Sequence, residues 1–117
     1  MMTKHEIQAL IDGATGTDQY YPIGIIPRYV ATDGVIAVVH AAECHWLLDA
    51  ILSHQTNPKL DPRFQVWKLS AFGSGMVLIG SNDTVPVITQ KITYTDFPLA
   101  ELKLYLIDNV ILLPNEY

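Results

Sequence analysis

The first clear pattern of hydrophobic and polar residues lies near the start of the chain. Apolar side chains recur there at the spacing of one helix face, at Ile7, Leu10 and Ile11. Thr3 is followed three residues later by Glu6, which is the capping-box pattern of a helix start, and Gly13 is a typical helix stop. The pattern predicts a helix over residues 4–12.

Residues 20–27 have a different character, because two prolines and a glycine interrupt an apolar and aromatic segment. Proline cannot donate a hydrogen bond to a central ladder, so we expect an edge strand or an extended segment here. Residues 28–31 could continue that strand. Residues 32–34 predict a turn, or the cap of the element that follows.

Residues 35–55 form the longest candidate helix. Its beginning, 35–39, is β-branched and fits a strand as well as a helix. From about residue 40 the spacing is helical, and one side carries Ala41, Cys44, Leu47, Leu48, Ile51 and Gln55. The opposite side carries Ala42, His45, Asp49 and Ser53. Asn57 and Pro58 then end the helix.

Beyond residue 62 the pattern changes to the two-residue alternation of strands. The predicted strands are 64–72, 76–80, 85–95, 102–107 and 110–113. In the third of these, one face carries Ile88, Gln90, Ile92 and Tyr94. Turn residues separate the strands, at 73–75, 81–83 and 108–109.

The order of the elements, with helices first and strands later, predicts the fold class. We expect a single α+β domain over residues 1–117. An antiparallel sheet of about four to six strands would come from the C-terminal half, packed by helices from the N-terminal half.

Composition narrows the possible partners. The net charge is −5, from 7 basic and 12 acidic residues, and the basic residues are scattered. Nucleic-acid binding needs a concentrated basic surface, so no nucleic-acid partner is expected. Half of the residues are hydrophobic and 16% are charged, which predicts some apolar surface that is exposed or covered by a partner.

The single cysteine and the hydropathy pattern suggest where the protein acts. Cys44 excludes an intramolecular disulfide, the N-terminus lacks the apolar segment of a signal peptide, and no apolar run is long enough to span a membrane. A cytoplasmic protein with no membrane partner and no cofactor is expected.

Three candidate catalytic residues lie on or near the predicted helix. His45 and Asp49 are four residues apart, so the carboxylate could orient the imidazole as a general base, with His54 further along. The alternative is a solvated helix face with one ion pair. Two candidate metal ligands, His40 and Cys44, are also four apart. The alternative for Cys44 is a buried cysteine on the apolar stripe.

Aromatic residues are the most suggestive candidates for a binding surface. Several are placed away from the expected core, namely Tyr20, Tyr21, Trp46, Trp67 and Tyr105. Tyrosine and tryptophan are enriched at the energetic centres of protein interfaces. The alternative is a sheet that is covered on both faces within the monomer, or rings that lie at the edge of the core.

Five segments of the sequence carry a resemblance to a known family: YVATDGV (29–35), HWLLDAILSHQ (45–55), FQVWKL (64–69), YTDFPL (94–99) and LYLID (104–108). From about residue 20 to its end, the chain resembles a small family of uncharacterised proteins found in bacteria and on phages and plasmids. The resemblance implies no activity and no catalytic residues. Its association with mobile genetic elements implies a protein that binds a host protein.

These observations favour a non-catalytic protein-binding module that acts through an aromatic surface on a host protein, with a homodimer as one option for its oligomeric state. Two alternatives remain open. One is a small-molecule-binding regulator or sponge with a pocket between helix and sheet. The other is a small hydrolase that uses His45 and Asp49.

Overall fold

A computed structural model describes residues 2–25, 28–93 and 95–117. The helices are α1 (Lys4–Gly13), α2 (Asp33–Ala41) and α3 (His45–Ser53). The strands are β1 (Tyr20–Pro22), β2 (Val30–Thr32), β3 (Gln65–Phe72), β4 (Gly75–Asn82), β5 (Val85–Ile92), β6 (Glu101–Ile107) and β7 (Val110–Leu112), followed by a 3-10 turn (Pro114–Glu116). The predicted extension at 26–27 and the predicted face of Tyr94 lie outside the described residues.

The seven strands of the described residues join one sheet, in the order β1-β2-β7-β6-β3-β4-β5. Neighbouring strands are antiparallel except β2 and β7, which are parallel. The predicted α+β class, with a sheet mostly from the C-terminal half, is confirmed. The five strands β3–β7 fall within the four to six predicted for the C-terminal half, and β1 and β2 from the N-terminal half extend the sheet beyond β7. Their pairing with β7 joins segments distant in sequence, which local periodicity cannot reveal.

The capping box at the start of α1 is present as predicted. The Glu6 amide donates to the Thr3 hydroxyl, and the Thr3 amide donates to the Glu6 carboxylate, each at 3.2 Å. The helix extends to Gly13, one residue beyond the prediction, and buries Ile7 in the core.

The chain leaves the helical path between α2 and α3. Glu43 has a left-handed φ of 54°, the Glu43 amide donates to the His40 carbonyl, and the Cys44 amide donates to the Val39 carbonyl. These two bonds form a Schellman motif, which ends a helix. The prediction of one continuous helix over 35–55 was therefore wrong. The change of direction also buries Ala42, which the helical pattern had placed on the polar side.

The ambiguous segment 35–39 is helical. The Thr32 hydroxyl caps α2 by accepting from the Val35 amide at 3.2 Å. Val35, Val38 and Val39 are fully buried in the core. Burial on one helix face thus outweighs the modest preference of β-branched residues for strands. No helix within the described residues is long and apolar enough to cross a membrane.

Tight turns fix the register of the strands. Asp108 and Asn109 join β6 to β7 with φ values of 48° and 71°. Two consecutive positive φ values are characteristic of a type I′ turn, whose twist matches that of the strands. A two-residue turn at 73–74 joins β3 to β4, with φ of 60° at Gly73.

The two faces of the sheet differ in what covers them. The inner face packs with all three helices in one hydrophobic cluster, to which the strands contribute Ala31, Trp67, Leu69, Met76, Leu78, Leu102, Leu104, Leu106 and Ile111. Side chains at the alternate positions point to the outer face and are only partly buried or exposed. The fold is therefore a two-layer structure with one open sheet face.

Trp67 is the largest fully buried side chain of the inner face. It lies opposite Gly80 on β4, and a Cβ atom built on Gly80 would come within 2.5 Å of the indole ring. The absence of a side chain at residue 80 therefore makes room for the ring.

The C-terminal segment is tied to the start of α2 through Glu116. Its carboxylate accepts from the Thr32 hydroxyl at 2.7 Å, the Leu113 amide at 2.9 Å and the Thr17 hydroxyl at 3.2 Å. Since Thr32 itself caps α2, the carboxylate also lies where the helix dipole favours a negative charge. The bonds join the end of the chain to segments near its beginning.

Gly80→Ala should destabilise the fold, because the added methyl group overlaps the indole of Trp67. We expect a loss of about 1–3 kcal/mol in the free energy of unfolding, measured by urea denaturation. Gly13→Ala is the matched control, since a Cβ there meets no atom within 4 Å. Equal stability of the two variants would contradict this packing.

Glu116→Ala should also destabilise the protein, because it leaves Thr32 and Leu113 without their acceptor. We expect a loss of about 1–3 kcal/mol, measured in the same way. Glu101→Ala is the control, since its carboxylate makes an exposed ion pair with Lys68 that should contribute about 0–1 kcal/mol. A Glu116 variant no less stable than the control would show that the hydrogen bonds of its carboxylate contribute little.

Candidate functional site

The three candidate catalytic residues are not gathered at one place. His45 is the first residue of α3 and Asp49 lies one turn later, and both side chains are exposed. His54 caps the other end of the helix, about 13 Å away at a rise of 1.5 Å per residue. Among the described contacts, none joins His45 to Asp49. The acid–base arrangement that the sequence allowed is therefore not assembled.

His54 takes part in a different arrangement. Its Nε2 atom lies 2.7 Å from the Oε1 atom of Gln90 on β5, and its ring stacks on the indole of Trp67 with centroids 5.7 Å apart. The imidazole is half-buried between α3 and the sheet. It joins the end of the helix to two strands, which is a structural role.

A pair of glutamines extends this polar network into the core. The indole N–H of Trp67 donates to Gln65 Oε1 at 2.8 Å, and the side chains of Gln65 and Gln55 exchange hydrogen bonds of 2.9 and 3.0 Å. Gln65 is fully buried. Sequence reasoning missed this network, although a glutamine two residues before a tryptophan on the same strand face was a usable signal.

The two candidate metal ligands point to different environments. Cys44 is buried at the start of α3, whereas His40 is exposed on α2. Burial raises the pKa of the Cys44 thiol from 9.0 to about 12, so the thiol stays protonated at neutral pH. Within the described residues, no group of three or more metal-ligating side chains occurs. The helical spacing of His40 and Cys44 thus does not produce a shared site.

An open groove of about 870 Å3 lies beside the turn between α2 and α3. Its lining includes Glu6, His40, His45 and Trp46. The two imidazole rings are edge-on at 6.2 Å, and Trp46 is partly buried beside them. The groove is wide and shallow, unlike the enclosed apolar pockets that hold small molecules.

The predicted aromatic surface residues separate in the structure. Trp67 is 1% exposed, so its assignment to a binding surface was wrong; the alternation places 65, 67 and 69 on the inner face, where the indole finds a hydrogen-bond partner. Tyr20 and Tyr21 are exposed on the short edge strand β1. Tyr105 lies on the outer face of the sheet, opposite in direction to its leucine neighbours, as the alternation predicts.

Three aromatic rings meet on the outer face, and two of them were not candidates from sequence. Phe64, Tyr105 and Tyr117 form an aromatic cluster with edge-on contacts, their centroids 5.3, 5.7 and 5.9 Å apart. Tyr117 is 75% exposed, while the other two rings are half-buried. The sequence offered one clue: in the two-residue alternation, Phe64 points to the same side as Val66, away from the core.

Apolar and basic side chains share the outer face with the aromatic cluster. Val66, Val77, Ile79 and Leu112 are partly exposed there. Lys68 and Lys103 face each other directly on β3 and β6, an arrangement of like charges that disfavours the isolated sheet. Lys91 adds a third positive charge, and Glu101 is the acidic residue that pairs with Lys68 at 3.2 Å. This part of an acidic protein is therefore locally basic.

Burial of Cys44 has a consequence for its reactivity. We expect the native thiol to react with Ellman's reagent far more slowly than the thiol of the protein unfolded in guanidinium chloride, because neither the reagent nor the ionised form is accommodated in the core.

The same burial predicts how stability depends on pH. The pKa of the thiol is 9.0 in the unfolded chain and about 12 in the folded one, so the free energy of unfolding should fall as the pH rises between these values. Cys44→Ala should lack that part of the fall. Rapid labelling of the native protein would contradict the burial.

Comparison with known proteins gives a family but no described relative. No curated protein and no solved structure matches the chain. The profile of one family matches residues 5–117, which is nearly the whole sequence. That match confirms the predicted resemblance to a family of uncharacterised proteins. The chain belongs to the Family of unknown function (DUF6876).

Proposed function

We propose that the protein is a non-catalytic protein-binding module that acts through the outer face of its sheet. The aromatic cluster of Phe64, Tyr105 and Tyr117 is the observation that carries the proposal. Its rings lie on a sheet face that none of the described helices covers. Tyrosine and phenylalanine contribute large contact areas to interfaces at small cost in conformational entropy.

The two edge strands of the sheet are poor sites for pairing with a long partner strand, which favours the outer face as the contact surface. At one end, β1 has three residues and finishes at Pro22. At the other end, β5 has Pro86 near its start and a bulge opposite Gly80 and Ser81. Short strands, proline and bulges all hinder long peptide strands from adding to a sheet. Side-chain contact with the outer face is therefore favoured over addition of a partner strand along a whole edge.

The charges of the outer face indicate the chemistry of the partner. Three lysines stand against one glutamate there, in a chain with a net charge of −5. A partner surface with carboxylates around an apolar centre would neutralise Lys68 and Lys103 and cover the aromatic cluster. The family resemblance supports a host protein as this partner, and the reduced, lone Cys44 supports a cytoplasmic encounter.

Replacing the exposed ring at the C-terminus should weaken this contact. We expect Tyr117→Ser, and more strongly Tyr105→Thr with Tyr117→Ser, to capture at least about tenfold less of the partner in affinity purification from host lysate, read by quantitative mass spectrometry. Retention of the circular dichroism spectrum and of the unfolding midpoint would establish that the fold persists.

Tyr20→Ser provides the matched control, since Tyr20 is 58% exposed but lies on the β1 edge. It should capture the same proteins as the unmodified chain. The proposal would be wrong if the control lost the partner while the Tyr105 and Tyr117 variants retained it, or if every variant captured the same set.

A further inference from the structure

The strand β5 forms one edge of the sheet and pairs with β4 alone among the described strands. It has eight residues, whereas β1 at the other edge has three. Ile88 and Ile92 point to the inner face but remain partly exposed, because they lie at the margin of the helical layer. The strand thus presents both backbone groups and apolar side chains to a neighbour.

The hairpin geometry determines which backbone groups of β5 point outward. In a two-residue hairpin the residues flanking the turn are hydrogen-bonded to each other, so Gly75 bonds to β3 and alternate residues of β4 bond to β5. Met76, Leu78 and Gly80 therefore pair with Ile92, Gln90 and Ile88. The Ile92 carbonyl does lie beside Gly75, as this pattern requires. Thr89 and Lys91 consequently direct their N–H and C=O groups away from the sheet.

The first residues of β5 do not form a regular strand, which limits where a neighbouring strand can pair. Pro86 has no N–H to donate, and Val87 is the extra residue where the register with β4 shifts. Residues 88–92, with the sequence ITQKI, form the straight and regular stretch that remains. A neighbouring strand can form a regular ladder only along this stretch.

We propose that a second copy of the chain pairs antiparallel with residues 88–92, on a twofold axis through Gln90. In this register Thr89 and Lys91 exchange backbone hydrogen bonds with Lys91 and Thr89 of the second copy. Ile88 lies against Ile92 of the second copy, and Gln90 lies against its own counterpart. The segment is self-complementary, because it has an isoleucine at each end and its one charged residue faces a threonine.

Neighbouring registers are less favourable for stated physical reasons. An axis through Lys91 would place the two ammonium groups directly opposite each other, which is repulsive. An axis through Thr89 would bring Val87 and Pro86 into the ladder, where the bulge and the missing N–H prevent pairing. The axis through Gln90 avoids both problems and uses only the regular stretch.

The pairing would place two copies of the outer face side by side. A twofold axis between antiparallel edge strands runs perpendicular to the sheet, so the outer faces of the two copies lie on the same side. Two aromatic clusters, each with Tyr117, would then face one direction. Such a dimer could bind a partner with two equivalent sites more tightly through avidity.

Sedimentation equilibrium of the full chain over a range of concentrations tests the pairing. The unmodified protein should show twice the chain mass at high concentration. Thr89→Pro removes an outward N–H that β4 does not use, so it should keep the fold and weaken dimerisation at least about tenfold. Thr89→Val keeps the amide and should stay dimeric. A single-chain mass at every concentration, or a Thr89→Pro dimer as tight as the unmodified one, would overturn the proposal.

A disulfide trap tests the register independently and covers the case in which Thr89→Pro fails to fold. Cross-strand neighbours on the axis have Cα atoms within reach of a disulfide, so Gln90→Cys should form a covalent dimer on mild oxidation. Asp83→Cys, at the exposed turn before β5, is the control and should not. Equal crosslinking of the two variants would contradict the register. Tyr117→Ser should dimerise normally, which separates this interface from the binding surface proposed above.

Discussion

The burial of the Trp67 indole is the constraint on which the arrangement of the helices and the sheet depends. The ring is accommodated because residue 80 is a glycine, and its N–H must find an acceptor once water is excluded. Gln65 supplies that acceptor and in turn bonds to Gln55, two residues beyond the end of α3. His54 stacks on the same ring. A single large side chain therefore fixes both the position of α3 and the face of the sheet that it covers.

Because the helices cover the inner face, the outer face stays open, and the C-terminal segment adds one aromatic ring to it. Glu116 holds the 3-10 turn to Thr32 at the start of α2, and this clamp places Tyr117 over the outer face. The ring of Tyr117 then contacts Phe64 and Tyr105, which belong to distant parts of the sequence. Elements that stabilise the fold thus also assemble the surface to which we assign binding.

The outer face and β5 differ in chemistry, and each suits a different kind of contact. The outer face is aromatic and locally basic, which suits side-chain contacts with an acidic surface. The regular part of β5 carries one charge and two partly exposed isoleucines, which suits backbone pairing with an identical strand. The bulge and Pro86 confine that pairing to a short stretch, so a discrete dimer is favoured over open-ended association.

The sequence by itself determined the features that depend on local periodicity and turn chemistry. These were α1 with its capping box, the strands beyond residue 62, the I′ turn at 108–109 and the α+β class. Only the tertiary structure decided that 35–39 is helical, that the chain breaks at Glu43 and that Trp67 points inward. Each of these depends on which surfaces become buried together, and burial joins residues far apart in the chain. The aromatic cluster has the same origin, since pairing across the sheet and the C-terminal clamp bring its rings together.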